Sequence, residues 1–380
     1  MGDAPAPLAG IRVLDLTRAF PGGYATLLLA DLGADVLKVE APGSGDPLRA
    51  GAGDGADPSP AHLGLNRGKR SMTLDTRSEP GLAVLRRLVA GADVLVESAR
   101  PGAMAAAGFG PQDGLALRPA LVWASLTGFG SDGPYAARPG HEVTFLGHSG
   151  LLAAMAGGLP WMPDAMVSVP IGGLMAAFAI VAAVTGAQRT GSGCHVDASI
   201  SAASTWLLSG MPTLLEPGAG GMGETAGRRL YRCADGRYVS VAAAEPRTWR
   251  ALCAVLGADD LADDLHGAAD PAATMARFEA VFATRSAAAW VGASPEATIG
   301  AVNEGADLAG DPQVRARGGL AEVAGTTVPA TPVVLTGADG ARSATPAAGP
   351  PALGADTDAE LAAVGYDRDE IAALRAAGTI

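Results

Sequence analysis

The sequence has few of the residues that build disulfide-linked or metal-stabilised folds. Its 380 residues include only three cysteines, Cys194, Cys233 and Cys253, and none of them forms a Cys-x-x-Cys pair. A disulfide framework is therefore not expected, and no metal site is predicted. Three isolated thiols suit a reducing compartment, so we expect a cytoplasmic protein.

Basic and aromatic residues are also scarce. Lysine and arginine total 27 against 39 aspartates and glutamates, the formal net charge is −12, and aromatic residues make up 4% of the chain. This charge argues against nucleic acid or an anionic membrane as a partner. A polyanionic ligand would need a local cluster of arginine and lysine side chains.

A leader peptide and a membrane span are not expected. The first ten residues lack the basic and apolar regions of a signal peptide. One apolar run, Met166–Val184, is long enough to cross a membrane. We interpret it as a buried helix instead, because it contains Ser168 and Pro170 near its start and is rich in alanine rather than leucine.

Short apolar runs alternate with helical segments through the first 130 residues. The pattern predicts strands, a turn and helices at 11–16 (strand), 21–23 (turn), 24–32 (helix), 36–40 (strand), 81–90 (helix), 93–97 (strand) and 121–125 (strand). This order predicts parallel pairing in an α/β fold. The first strand–turn–helix unit carries no GxGxxG dinucleotide fingerprint. Ligands of such sheets bind beyond the carboxyl ends of the strands.

A smaller α+β domain is predicted at 225–325. Residues 229–243 have the pattern of a hairpin with Asp235 and Gly236 at its turn, and helices are predicted within 246–295. The large, Rossmann-like domain then comprises 1–210. Residues 326–380 are predicted to return to it as a linker followed by two C-terminal helices.

The step Gly140, His141 and Glu142 is the first candidate for chemistry. It follows a Gly-Pro turn and precedes an apolar run. A histidine at the mouth of such a turn, next to a carboxylate, suits general acid–base catalysis, although most histidines in proteins are structural.

Nine blocks of sequence follow one another in an order that covers nearly the whole chain. They are GIRVLDLT, LLADLGADVLKVE, NRGKRSMTLD, ADVLVESARPG, LTGFGSDGP, TGSGCHVDAS, YRCADGRYVSVAAAEP, DPQVRARG and PALGADTDAELAAVGYDRDEIAALRAAG. Each resembles a block of the family III CoA-transferases (the CaiB/BaiF superfamily), most closely in the α-methylacyl-CoA racemase branch. The resemblance implies an interlocked homodimer that binds an acyl-CoA between the large domain of one subunit and the small domain of the other. CoA is then part of the substrate, and no separate cofactor is expected.

The same resemblance implies that particular residues bind CoA. Lys38 and Arg100 take the places of basic contacts to CoA, and Asn66 and Arg67 fall in the segment that wraps the adenine and phosphates. Arg70 belongs to the same basic segment, which would serve as an anion site in this acidic protein or be an ordinary solvated loop.

The resemblance also implies catalytic roles. Gly140 belongs to the loop beside the thioester, His141 matches the catalytic base, and Glu142 replaces the aspartate that usually follows it. Glu245 matches a glutamate that orients the histidine from the partner subunit. It could equally be a helix-terminal residue stabilised by the helix dipole.

One position departs from the family pattern. An aspartate is expected shortly before the Gly pair that opens the long apolar helix, and alignment on the downstream Gly-x-Gly places Ser168 there, or Val169 after a small shift. In transferases this aspartate forms an acyl anhydride, and in racemases it is the second base. Asp164 could replace it only with a rearranged backbone, and Ser168 could simply be a helix N-cap.

Three hypotheses therefore stay open. The first is α-proton chemistry on an acyl-CoA or acyl-pantetheine thioester, as in a racemase, epimerase or isomerase, with His141 as its single base. The second is acyl transfer or hydrolysis through Ser168, or CoA transfer through a displaced carboxylate. The third is an acyl-CoA-binding relative without catalytic activity.

Overall fold

A six-stranded parallel sheet forms the centre of the larger unit of the chain. The computed structural model describes residues 6–50, 59–156, 161–216 and 223–380. The strands of this sheet are β1 (Arg12–Leu16), β2 (Asp35–Glu40), β3 (Arg70–Thr73), β4 (Val94–Glu97), β5 (Val122–Thr127) and β6 (Cys194–Ser199). Their order is β3-β2-β1-β4-β5-β6, and every neighbouring pair is parallel. The predicted α/β fold with a parallel sheet is confirmed.

Helices connect the strands and cover the sheet. In chain order they are α1 (Ala19–Asp31), α2 (Pro60–Asn66), α3 (Glu79–Ala90), α4 (Ala103–Ala106), α5 (Pro111–Leu117), α6 (Glu142–His148), α7 (Leu151–Ala156), α8 (Ser168–Thr190), α9 (Ile200–Trp206), α10 (Pro246–Leu256), α11 (Pro271–Phe282), α12 (Ala287–Val291), α13 (Pro312–Arg317), α14 (Thr357–Ala363) and α15 (Arg368–Ala376).

The core lies on both faces of the parallel sheet, because successive strand residues point to opposite sides. On one face Val13 and Val36 pack with Ile180 of α8. On the other face Leu14 and Leu37 pack with residues of α3 and with Ile371 of α15. The result is a three-layer α/β arrangement in which the carboxyl ends of the strands share one edge.

The turn predicted at Pro21–Gly23 is wrong, because these residues lie in the first turns of α1. Proline is tolerated there because its missing N–H would have no partner inside the helix. Glycine is required for close packing, since a Cβ on Gly22 would overlap the side chain of Thr17. The local sequence looks like a turn, but the reason for these residues is the tight contact between α1 and the end of β1.

The apolar run is a helix, α8, but it is not fully buried as predicted. One face is covered, and a Cβ on Gly173 would lie 2.7 Å from Cβ of Tyr24 in α1. The other face exposes 54% of Leu174 and 66% of Phe178. By length and composition alone α8 could cross a membrane. Soluble proteins share this property in their core helices, and α8 packs against α1, α9 and the sheet.

Antiparallel strands organise the smaller unit. Contacts assign Met1–Pro217 and Arg317–Ile380 to the larger unit and Gly218–Ala316 to the smaller one. The strands β7 (Arg228–Arg232), β8 (Tyr238–Ala242) and β9 (Ile299–Ala301) form an antiparallel sheet in that order. The predicted hairpin at 229–243 is therefore present. A second hairpin, β10 (Leu320–Val323) and β11 (Thr326–Pro329), belongs to the larger unit, where β11 packs against α2.

Candidate functional site

A cavity of about 310 Å³ opens at the carboxyl ends of β1, β2 and β3. Its walls come from the residues that follow these strands, including Thr17 and Arg18, Ser44 to Asp46, and Asp75 to Arg77. The order of the sheet reverses beside this edge, between β1 and β4. Open α/β sheets bind their ligands at such a position.

Three arginines follow strands at this edge and supply positive charge. Arg18 and Arg77 line the cavity after β1 and β3, and Arg100 follows β4. The backbone N–H of Arg18 donates to Ser98 Oγ at 3.1 Å, which joins the segments after β1 and β4. All three side chains are exposed, and none forms an ion pair with the described residues. They are therefore available to an anionic ligand.

Lys38, which the resemblance assigns to CoA binding, lies in a buried ion cluster. Its ammonium is 2% exposed, lies 3.0 Å from Asp46 Oδ2 and 3.9 Å from Asp15 Oδ2, and donates to the Thr17 carbonyl at 3.1 Å. Lys69 donates to Asp15 Oδ2 at 3.1 Å from the other side. Burial lowers the pKa of Lys69 to about 8, and Asp15 opposes that effect. The charge of Lys38 is thus balanced inside the protein.

Asn66 and Arg67 also point into the protein. The Arg67 guanidinium donates to Asp31 Oδ2 at 2.7 Å, and its side chain is 3% exposed. The Asn66 carbonyl oxygen accepts from Lys69 Nζ at 2.9 Å, and its amide donates to Nδ1 of His62 at 3.0 Å. Both predicted CoA contacts are therefore engaged in internal hydrogen bonds.

Arg70 begins β3 and lies at the amino edge of the sheet, away from the cavity. Its guanidinium pairs with Asp35, the first residue of β2, at 2.7 Å and also with Glu360 of α14. The pair with Glu360 connects α14 to the sheet, and the pair with Asp35 joins β3 to β2. The structure does not bring Arg70 together with Arg100, because Arg70 lies at the amino end of its strand and Arg100 follows the carboxyl end of a parallel strand.

The buried His62 should make the fold sensitive to acid. Burial and then the nearby Arg49 cation lower the pKa of His62 to about 4. Between pH 6.5 and 4 the unfolded chain therefore binds a proton that the folded chain does not. We expect the free energy of unfolding to fall by about 2–3 kcal/mol across this window on account of this residue.

Urea denaturation at a series of pH values checks this expectation. In a His62→Gln variant the loss of stability between pH 6.5 and 4 should be smaller than in the wild-type protein. A His195→Gln variant serves as the control, because His195 is half-buried and hydrogen-bonded to Ser125 at 2.9 Å. Equal slopes in His62→Gln and the wild type would contradict the prediction.

His141 and Glu142 lie where α6 meets α8. His141 is the N-cap residue of α6 and is exposed. The Glu142 carboxylate accepts the backbone N–H groups of Val167 and Ser168 at 2.7 Å and that of Val169 at 2.8 Å. Because the first N–H groups of a helix have no partner within it, Glu142 supplies the cap for α8. This carboxylate connects the two helices and fixes the position from which His141 projects.

Ser168 is the first residue of α8 and is completely buried. Its Oγ has no hydrogen-bond partner among the described residues. The structure places no carboxylate in the first turn of α8. Asp164 is exposed, in the segment before the helix.

Gly140 allows the loop before α6 to pack closely. A Cβ at this position, or at Gly128, would overlap the ring of Phe145, which is 5% exposed. Phe145 in turn contacts Phe129 with ring centroids 5.3 Å apart. Gly140 therefore has a packing role beside His141.

Glu245 belongs to the smaller unit, where it is the exposed N-cap residue of α10. The Glu245 carboxylate accepts a hydrogen bond from the Thr248 hydroxyl at 3.1 Å. The backbone N–H of Glu245 donates to the oxygen of that hydroxyl at 3.2 Å. This is the helix-terminal position considered in the sequence. That Glu245 of one subunit orients His141 of another stays a prediction.

Sequence reasoning missed two features of the larger unit. Arg18 lines the cavity, and the signal for it in the sequence is its position soon after the first strand. Tyr24 packs on the cluster formed by Phe145 of α6 and Val169 of α8, and no local sequence signal indicates this contact. Among the described residues, no group of three or more His, Cys, Asp or Glu side chains is placed to hold a metal ion.

Comparison with known proteins identifies the family. Residues 8–357 match the model of CoA-transferase family III. The chain is 32% identical over 370 residues to a succinate–glutarate CoA-transferase of Agrobacterium fabrum, covering 88% of this chain and 91% of that protein. It is 33% identical over 296 residues to the human α-methylacyl-CoA racemase, covering 74% of each.

Solved structures agree with the sequence match. A hypothetical protein of Mycobacterium tuberculosis, Rv3272, superposes with a TM-score of 0.82 at 29% identity, over 94% of this chain and all of that one. A CAIB/BAIF family protein of Brucella suis gives a TM-score of 0.80, also at 29% identity, over 94% of this chain and 99% of that one. The chain belongs to family III of the CoA-transferases, an enzyme family that includes both CoA-transferases and α-methylacyl-CoA racemases.

Proposed function

We propose that the protein removes and returns a proton at the carbon next to the thioester of an acyl-CoA, with His141 as the base. The observation that supports this is the junction of α6 and α8. There His141 is exposed, whereas Glu142 accepts three backbone N–H groups and Ser168 is a buried hydroxyl. The imidazole is the group at this junction best suited to take a proton.

The reaction passes through an enolate, whose oxygen needs hydrogen-bond donors. The N–H groups of Glu142 and Val143 begin α6 and have no backbone acceptor within that helix. They follow His141 directly, so a thioester placed against the imidazole would have donors within reach of its oxygen. Removal of the proton leaves its electron pair in the enolate, and reprotonation of the same carbon completes an isomerisation or exchange.

A second candidate function is CoA transfer, and the relatives favour it. Several of the similar proteins are CoA-transferases, including an acetyl-CoA:oxalate CoA-transferase of Acetobacter aceti. Transfer through an acyl anhydride needs an available carboxylate, and Asp164 is the exposed carboxylate shortly before α8. A buried serine hydroxyl would need a base to form an ester instead.

The arginines at the carboxyl edge would hold the phosphates of CoA. Arg18 and Arg77 reach the same cavity from two strands, and Arg100 follows the neighbouring strand. Arginine binds phosphate through paired, charge-assisted hydrogen bonds. Lys38 and Arg67 would support this edge indirectly, through the buried ion pairs that hold β1, β2 and α2 together.

Replacing both Arg18 and Arg77 by alanine should weaken CoA binding by at least about 100-fold, because a hydrogen bond to a charged group contributes about 1.5–3 kcal/mol net and each arginine would supply at least one. Isothermal titration calorimetry with CoA measures the effect. Arg189→Ala is the matched control, since Arg189 is an exposed arginine at the far end of α8. Unchanged affinity in the double variant would locate the CoA phosphates elsewhere.

We also propose that the chain works as the interlocked homodimer of its family. Large apolar side chains on α8 and α9 support this, because Phe178 is 66% and Trp206 is 59% exposed. Exposed apolar groups of this size are typical of protein–protein contacts. A dimer would also allow Glu245 of the partner subunit to approach His141.

Proton exchange in D₂O tests the proposed function. The purified protein is incubated separately with (R)- and (S)-2-methylacyl-CoA, and deuterium at the α-carbon is followed by mass spectrometry. Incorporation supports α-proton chemistry. No incorporation with CoA binding intact would contradict it, and trapping an acyl-enzyme with hydroxylamine would then favour acyl or CoA transfer.

A further inference from the structure

We propose that Tyr24 is a second catalytic residue, which delivers a proton to the face of the substrate carbon opposite His141. This inference rests on the proposed α-proton chemistry. Inversion at a carbon needs one group to remove a proton and another to supply one on the other face. The first turn of α8 provides no carboxylate for this, so the second group must come from another element.

Tyr24 lies on α1, directly against the beginning of α8. A Cβ on Gly173 would be 2.7 Å from Cβ of Tyr24, so only glycine permits this approach. The side chain of Tyr24 packs on the apolar cluster that contains Val169 of α8 and Phe145 of α6. Tyr24 therefore belongs to the same junction of helices as His141 and Glu142.

The phenol of Tyr24 is suited to donate a proton. The side chain is partly exposed, and its hydroxyl has no hydrogen-bond partner among the described residues. Burial and then the negative charge of Glu142 raise the pKa of Tyr24 above its ordinary value. The phenol thus carries its proton at neutral pH, and its ring packs on the cluster that contains Phe145 of α6, the helix that His141 caps.

Other groups near the junction are less well placed to donate. The Glu142 carboxylate is committed to the N–H groups of Val167, Ser168 and Val169. Buried Ser168 is a weak acid, and α7 and α9 contain no titratable side chains. Asp132 and Arg138 are exposed on the loop before α6.

His141 takes the α-proton, and the electron pair of the C–H bond forms the enolate. The Tyr24 O–H bond then breaks as its proton joins the opposite face of the carbon, and the enolate electron pair forms the new C–H bond. The enzyme is left with an imidazolium and a phenolate, and exchange of a proton with water restores both groups.

A Tyr24→Phe variant tests this role, because it removes one oxygen atom and keeps the ring that packs against α8. Each enantiomer of 2-methylacyl-CoA is incubated in D₂O, and the product is analysed for deuterium and for configuration. The wild-type protein should give deuterated product of inverted configuration. In Tyr24→Phe inversion should fall at least about 100-fold, while exchange with retention continues for the enantiomer whose proton faces His141.

The control is Tyr366→Phe, a change at another partly exposed tyrosine of the larger unit, which lies under the Arg87 guanidinium at 4.1 Å and away from α6 and α8; it should leave inversion unchanged. If Tyr24→Phe fails to fold, Tyr24→His keeps a proton donor at the site and should keep part of the inversion. Full inversion in Tyr24→Phe would overturn the role of Tyr24. Exchange with retention alone in the wild type would overturn it too, but would leave the proposed function standing, whereas no exchange at all would overturn both.

Discussion

Replacing His141 by alanine should lower the rate of α-deuterium incorporation by about 10²–10⁴-fold, the usual contribution of a positioned acid–base group. The reason is the arrangement at the start of α6, where the imidazole is exposed and its neighbours offer no equivalent base. Glu142 is occupied by three N–H groups, and Ser168 is neutral and buried. Mass spectrometry of the acyl-CoA recovered from D₂O gives the rate directly.

Two measurements distinguish a chemical role of His141 from a structural one. CoA affinity should stay unchanged in His141→Ala, because the arginines at the carboxyl edge of the sheet are not touched. His148→Ala is the matched control, since His148 is an exposed histidine on the same helix whose Nδ1 lies 2.6 Å from Ser201 Oγ. Comparable losses of exchange in both variants would show that disruption of α6, not loss of a base, is responsible.

The sheet could be predicted from the sequence, because buried parallel strands read as short apolar runs between helices. Such runs precede the helices of the first 130 residues, and β1, β2, β4 and β5 fall on the predicted runs within one or two residues. The turn predicted at Pro21–Gly23 failed for a reason that local sequence does not contain. Gly22 is explained by Thr17, which approaches it only after the chain has folded back.

The site was harder to predict, because the charge of a basic residue does not show whether it pairs with a carboxylate inside the protein or faces a ligand. Lys38 and Arg67 have side chains of the type that binds phosphate. The fold, however, brings a carboxylate to each of them, Asp46 to Lys38 and Asp31 of α1 to Arg67. Arg18 and Arg77, in contrast, follow strand ends directly, and strand order shows that they share an edge with Arg100. Position relative to the carboxyl ends thus shows which basic side chains reach the cavity, at the edge where open α/β sheets bind their ligands.

Replacing Asp15 by alanine should reduce the free energy of unfolding by about 3–5 kcal/mol, the usual effect of removing one member of a buried ion pair. Asp15 is fully buried, accepts from Thr17 Oγ1 and Thr26 Oγ1 at 2.6 Å, and lies between Lys38 and Lys69. Without it Lys69 would keep only neutral acceptors, since its other contacts are Thr26 and Asn66. Urea denaturation at pH 7 measures the loss.

Two further variants show whether the loss comes from an uncompensated charge. Asp35→Ala removes a carboxylate that is 47% exposed and paired with Arg70, and it should cost only about 0–1 kcal/mol. The double variant Asp15→Leu with Lys69→Met removes both charges, so it should be more stable than Asp15→Ala. If the double variant is less stable than Asp15→Ala, the Asp15–Lys69 ion pair itself stabilises the fold. The uncompensated charge of Lys69 would then not be the main cause of the loss in Asp15→Ala. The result bears on the site as well, because this cluster fixes the ends of β1 and β2 from which the cavity opens.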